Sequence, residues 1–244
     1  MLKNYDKLWV FGDSYTTPNV CVDPQDSFWG LVATHLDIPT INNCSRPVNS
    51  FDSVCQLLVG IQQQIDWNTD LILIGIPPLE RITVFDDYKN TEYLGHTIDT
   101  NTWQTQQFDI SAHRGLVSLQ NYGTDKELII HHDRSWLETQ TLRTVFFLTQ
   151  WLDNINASYM IVNLSKDFDT TNVWGPSNFV LPYCIDHPRC IMFKDTYHSI
   201  NIGVNKPADS DGPEGHHGPE GNQYFFEKSL LLKIKQCGLT SQKI

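Results

Sequence analysis

The chain has 244 residues, of which 40% are hydrophobic and 18% charged, with 12 Phe, 9 Tyr, 7 Trp and a formal net charge of -11. That length and composition suit one folded domain with a sizeable core and exclude extended disorder. The acidic balance speaks against nucleic acid and anionic membranes as partners, since both attract clustered Lys and Arg.

Six Cys without CxxC spacing read as structural thiols, with a Cys184 to Cys190 bridge as the alternative in an oxidising compartment. Met1 to Asp6 carries no apolar leader, and no run approaches the ~20 apolar residues of a membrane span. A cytoplasmic protein is the default expectation, and a virion-associated one would read the same.

In chain order, Lys7 to Phe11 is a short apolar run ended by Gly12, a buried strand feeding a turn. Asp26 or Ser27 caps a helix carrying Phe28, Leu31, Val32 and Leu36, and Ile38 to Ile41 follows as a second strand. Phe51, Val54, Leu58, Ile61 and Ile65 fall at helical spacing, so Ser50 to Asp66 is predicted as an amphipathic helix. It leads into Asp70 to Gly75, a central parallel strand. A long helix from Ser135 to Asn156, a strand from Tyr159 to Leu164, a weak strand from Cys190 to Phe193 and a closing helix from Pro219 to Lys235 complete the alternation. The pattern predicts an α/β sandwich on a mostly parallel sheet with right-handed crossovers.

Residues 82 to 135 break the alternation and read as an insertion with strand-like pieces at Gly115 to Leu119 and Leu128 to Ile130. Lys166 to Pro188 reads as a long loop near the carboxyl ends of the strands, the edge where open α/β sheets gather ligands.

The chemistry-bearing residues lie at the two ends. Gly12-Asp13-Ser14 directly follows the first strand, where the Ser14 hydroxyl can project above the sheet and its N–H can line an anion site. The competing explanation is an Asp/Ser turn with no chemistry. Far away, Asp211-Gly-Pro-Glu-Gly-His-His-Gly-Pro-Glu-Gly-Asn222 places acids and a histidine pair before the last helix. A serine nucleophile needs a histidine to take its proton and a carboxylate to hold the imidazole.

With FGDS after the first strand and an acid-x-x-His before the last helix, the chain resembles the SGNH (GDSL-like) hydrolase family over roughly residues 7 to 81 and 136 to 235. It is similar in particular to variants of tailed phages. The resemblance implies a three-layer α/β/α sandwich with a mostly parallel, flavodoxin-like five-stranded sheet in a single domain. It also implies hydrolysis of acyl esters, often acetyl groups on sugars, with no metal and no cofactor. Its expected substrate is a small-molecule or glycan ester.

Ser14 matches the family nucleophile and His217 the base. The family spacing for the acid lands on Glu214, whereas Asp211 is the displaced aspartate if Gly-Pro-Glu-Gly is a small insertion.

Two family blocks depart from pattern. Val48 stands where a Gly normally supplies an oxyanion N–H, and Pro77 stands where an Asn supplies a side-chain donor, although proline has no donor at all. A slow enzyme, or one using Asn49, Ser50 or Arg81 as a substitute donor, is therefore expected. The alternative is a catalytically weak or inactive protein of the same fold, used for binding or as a virion component. A flavodoxin-like phosphate-binding module ranks third, because Asp13 puts an acid where a glycine cradle belongs. His131-His132-Asp133 reads as structural, since adjacent histidines in a strand face opposite ways. Trp103 and Trp174, in irregular segments, are candidate sugar platforms.

Overall fold

A computed structural model describes residues 4–18, 22–47, 49–79, 82–85, 94–110, 116–119, 134–165, 168, 181–202 and 217–239. Strand β1 (Lys7–Phe11) lies between β2 (Thr40–Asn43) and β3 (Asp70–Ile76), parallel to both. After β4 (Ile82–Phe85), β5 (Leu94–Asp99), β6 (Thr105–Asp109) and β7 (Leu116–Leu119), the sheet resumes with β8 (Ser158–Asn163) parallel to β3 and β9 (Cys190–Ile191) parallel to β8. The order is β6-β5-β2-β1-β3-β8-β9, so the five parallel strands run 2-1-3-4-5 in chain order, the flavodoxin-like arrangement.

The sequence reading has five strands, and this sheet has seven. The additional pair is the β5–β6 hairpin, which adds antiparallel to β2. Its strands are half-exposed and polar, so they carry no continuous apolar run to announce them. The expected strand at 115–119 is β7, paired with β4 in a separate two-stranded sheet, while 128–130 lies outside the described residues.

Helices cover both faces. On one, α2 (Phe51–Ile61) and α3 (Arg134–Asn154) close over Trp9, Phe11, Ile72, Ile74, Tyr159 and Ile161. On the other, α1 (Phe28–Leu36) and the C-terminal helix bury Leu8, Val10, Leu71, Leu73 and Val162. Alternate residues of each central strand thus enter opposite cores, which explains why these strands read as unbroken apolar runs. The amino end of the central pair is tied by Trp9 Nε1 donating to Asp70 Oδ2 at 2.7 Å.

Ser27 is the cap of α1, accepting from Gly30 N, and Ser50 caps α2, accepting from Ser53 N. Strand β2 starts two residues later than predicted, because Asp37 takes a left-handed φ of 58° to end α1 and Pro39 precedes the pairing. The expected loop at 166–188 contains helix α4 (Leu181–Asp186), too short for periodicity to reveal; Cys184 packs it against Leu142 of α3. Helix α5 (Tyr197–Ile202) was likewise not predicted. The last helix is α6 (Pro219–Phe225), a π turn over Phe226–Leu230, then α7 (Leu231–Gln236). Cys184 and Cys190 are both free thiols, so the alternative of a bridge is not realised. Among the described residues no helix is long and apolar enough to cross a membrane.

Candidate active site at the carboxyl edge of the sheet

The Ser14 turn is built by its neighbours. The carbonyl of Asp13 accepts from Thr16 N and Thr17 N, both at 3.0 Å, and from both threonine hydroxyls. The Asp13 carboxylate accepts from Tyr15 N at 3.0 Å, closing an Asx turn directly over Ser14. Asp13 is fully buried, so its acid serves the turn's shape.

Two further amides pin the turn to the second block. Asn49 Nδ2 donates to Gly12 O at 2.9 Å, and Asn43 Nδ2 donates to Thr16 O at 2.7 Å. Gly12 is required there, because a Cβ would land on Thr16 Oγ1, itself held by Asp13 O. Ser14 is thereby fixed at the end of β1, 8% exposed.

His217 is positioned by the start of α6. Gly218 is its N-cap residue and Pro219 its first residue, where a missing N–H costs nothing. The buried Asn222 amide reaches back one turn. Its Nδ2 donates to His217 O and Gly218 O, both at 2.9 Å, while its Oδ1 accepts from Phe28 N at 3.0 Å. One side chain thus fastens the His217 backbone to the beginning of α1.

The imidazole packs edge-on against Tyr197 at 4.8 Å, and Tyr197 packs against Tyr15 at 5.4 Å. The residue after Ser14 and the histidine at the other end of the chain therefore share one aromatic neighbour. Sequence reasoning missed both Tyr197 and Asn222. Asn222 carried a signal, since it closes the Gly-rich block four residues after Gly218, whereas Tyr197 lay in a segment with no predicted element.

Asp211, Glu214, His216, Val48, Arg81 and Trp174 lie outside the described residues, as does 131–133. Of the substitute donors, the Asn49 amide is engaged by Gly12 O and the Ser50 hydroxyl accepts from Ser53 N. Pro77 directly follows β3 and lines a cavity of about 250 Å³ together with Phe51 and Asp52 of α2 and Trp136 of α3. Ser45 is buried, and its Oγ has no hydrogen-bond partner among the described residues. Ser45→Ala removes a hydroxyl that costs desolvation without return, so it is expected to leave stability unchanged or raise it by up to about 1 kcal/mol, measured by calorimetric unfolding.

A second constellation superficially matches a cysteine triad. Cys190 Sγ lies 3.6 Å from His187 Nδ1, and His187 Nε2 lies 3.5 Å from Asp153 Oδ2. Arg189 N donates to His187 Nδ1, which places the ring proton on Nε2, facing Asp153. Burial pushes the Cys190 thiol up and so disfavours the thiolate, and at 4% exposure the sulfur is closed to a substrate, which fits a structural cluster.

Burial also lowers the His187 pKa below 6.5, with Asp153 pulling the other way, and burial lowers that of His96. The unfolded chain therefore takes up these protons first as pH falls. The contribution of these two histidines to stability is therefore present above their ordinary pKa of 6.5 and is lost progressively as the pH falls below it. His187→Gln is expected to flatten the fall in unfolding temperature between neutral and mildly acidic pH, checked by melting at stepped pH.

Trp103 sits in the β5–β6 turn at φ 56° and packs, partly buried, against the core on the Leu8 and Val10 face of the sheet. Asp99 pairs with Thr40 at the start of β2, so this turn lies at the amino edge, away from Ser14. That location removes Trp103 as a platform at the Ser14 site. Trp136, on α3, is 38% exposed and lines the cavity beside Pro77.

Fold and site together define a flavodoxin-like α/β sandwich with a serine turn after its first strand and with Tyr197 packed against both Tyr15 and His217. Comparison with models of known families finds no match, and neither does comparison with characterised proteins. Among solved structures, the chain is similar to a member of the lipolytic G-D-S-L family from Veillonella parvula, at 11% identity and a TM-score of 0.45, over 93% of this chain and 97% of that one. It is also similar to a carbohydrate esterase whose active site is described as having divergent catalytic and non-catalytic binding functions. That likeness has 12% identity and a TM-score of 0.45, over 97% of this chain and 69% of that one.

Proposed function

We propose that the chain is a serine ester hydrolase of the SGNH (GDSL-like) kind, acting on O-acyl esters, O-acetyl esters among them, through an acyl-Ser14 intermediate. The observation that carries this reading is the convergence of the Ser14 turn and His217 on Tyr197 at the carboxyl end of β1. His217 takes the Ser14 hydroxyl proton as Oγ adds to the ester carbonyl, then returns it to the departing alcohol. Water, deprotonated by the same imidazole, adds to the acyl-serine and releases the carboxylic acid. Asp211 or Glu214 orients the ring. The reaction so written uses no metal or cofactor.

Pro77 offers no donor to the oxyanion, and loss of one donor costs roughly 100- to 1000-fold in turnover. Turnover is accordingly slow, carried by the Ser14 N–H and whatever the second block contributes. That same deficit, with the Asn49 amide already engaged, favours a second reading: a protein of this fold that binds esters or glycans without cleaving them.

Intact-mass measurement with a fluorophosphonate separates the two. One phosphonyl adduct on the native chain and none on Ser14→Ala is expected for the hydrolase. An unlabelled native chain, or a label that persists in Ser14→Ala, overturns it.

A further inference from the structure

The two edges of the seven-stranded sheet are closed to different degrees. At one, β9 is two residues long and buried, too short to template another strand. At the other, β6 runs five residues and pairs only with β5. Its register is unbroken from Leu94↔Asp109 to Ile98↔Thr105, so no bulge turns it aside. It also holds no Pro or Lys, the residues that discourage a further strand.

Thr105, Gln106 and Gln107 are all exposed. Successive strand residues face opposite sides of a sheet, so neither side of β6 is covered by a helix at these positions. An approaching strand finds room above and below.

The direction of the free backbone groups follows from hydrogen-bond parity. Asp99 N donates to Gln104 O at 3.1 Å, and these two residues continue the β5–β6 register by one pair. Hydrogen-bonded pairs alternate along an antiparallel ladder, so Gln106 and Phe108 turn their N–H and C=O groups toward β5. Thr105, Gln107 and Asp109 turn theirs outward, where no strand among the described residues meets them.

We propose that this edge is a self-association surface, on which β6 of a second copy pairs antiparallel about a twofold axis at Gln107. Gln107 exchanges both backbone bonds with its counterpart, and Thr105 exchanges them with Asp109 of the second copy, each contact occurring twice by symmetry. Charge selects this register. With a formal net charge of -11, two copies repel one another over most of their surfaces. Here no charge is set against its like: the strand's one charged residue, Asp109, is paired with Thr105, and the Gln107 amide, donor and acceptor at once, complements itself.

A pairing of five residues is small beside the roughly 1,000 Å² of a stable interface, so the association is reversible, populated at about 100 µM protein and absent at about 1 µM. Sedimentation velocity of the full chain at those two concentrations is expected to show dimer at the first and monomer at the second. Gln107→Pro removes an outward N–H and leaves the β5 ladder its bonds, so this variant should be monomeric at both and melt as the native chain does. Gln107→Lys covers the case in which proline unfolds the hairpin. Alone it sets like charges across the axis and stays monomeric; mixed with Gln107→Glu it regains the dimer, because position 107 faces itself only in this register. A native chain that is monomeric at both concentrations, a dimer that persists in Gln107→Pro and Gln107→Lys, or a Lys and Glu mixture that stays monomeric overturns the inference.

Discussion

His217→Ala is expected to lower hydrolysis of a chromogenic acetate by about 10⁴-fold or more, and Ser14→Ala to lower it to the same residual rate. The double variant should be no worse than either single one. Nucleophile and base act as a unit: without the imidazole the hydroxyl keeps its proton, and without the hydroxyl the imidazole has nothing to activate. What survives is catalysis by binding and by any remaining oxyanion donor. If the two losses instead multiply, Ser14 and His217 are not acting on one another. The Ser14→Ala protein should still fold, because the Asp13 carbonyl and carboxylate and the Asn43 and Asn49 amides that hold the turn are all retained.

Asn222→Leu is expected to be the most destabilising single substitution near the site, by about 3 to 6 kcal/mol. The side chain is 1% exposed and serves His217 O, Gly218 O and Phe28 N, so leucine would leave three backbone groups without this partner in a region that water does not reach. For a chain of this size the loss corresponds to roughly 10 °C or more in unfolding temperature. Activity should fall further than the folded fraction, because the His217 backbone is what the amide holds. Asn222→Asp keeps an acceptor for Phe28 N but sets a carboxylate against two carbonyls, so it should fail as a rescue. Equal melting of native and Asn222→Leu chains would show that the start of α6 is held by other contacts.

The parallel core was legible because its strands are buried on both faces: an unbroken run such as Leu71 to Ile74 admits few other readings. The long helices were legible from spacing, and Ser27 as one of two candidate caps for α1, whereas Ser50 was read as helical and proves to be the cap of α2. The β5–β6 hairpin was not legible, since half-exposed strands with polar residues such as Thr97 and Gln106 lack a strong period. Helices α4 and α5, six residues each, are shorter than two helical turns and leave no repeat to read.

At the site, the sequence by itself determined residue types and their order: a serine after the first strand, acids and histidines before the last helix, and a proline where a donor is expected. These are local facts, each tied to the end of one element. Tertiary structure decided what faces what. It brought Tyr197 between Tyr15 and His217, set the Asn222 amide against Phe28 N of α1, committed Asn49 to the Gly12 carbonyl, and left the cavity that Pro77 lines together with residues of α2 and α3. None of these follows from spacing, because each joins residues from separate elements whose meeting depends on which face of the sheet their crossovers take. The Ser14 turn was visible from the start; the partners that hold it in shape became visible only in three dimensions.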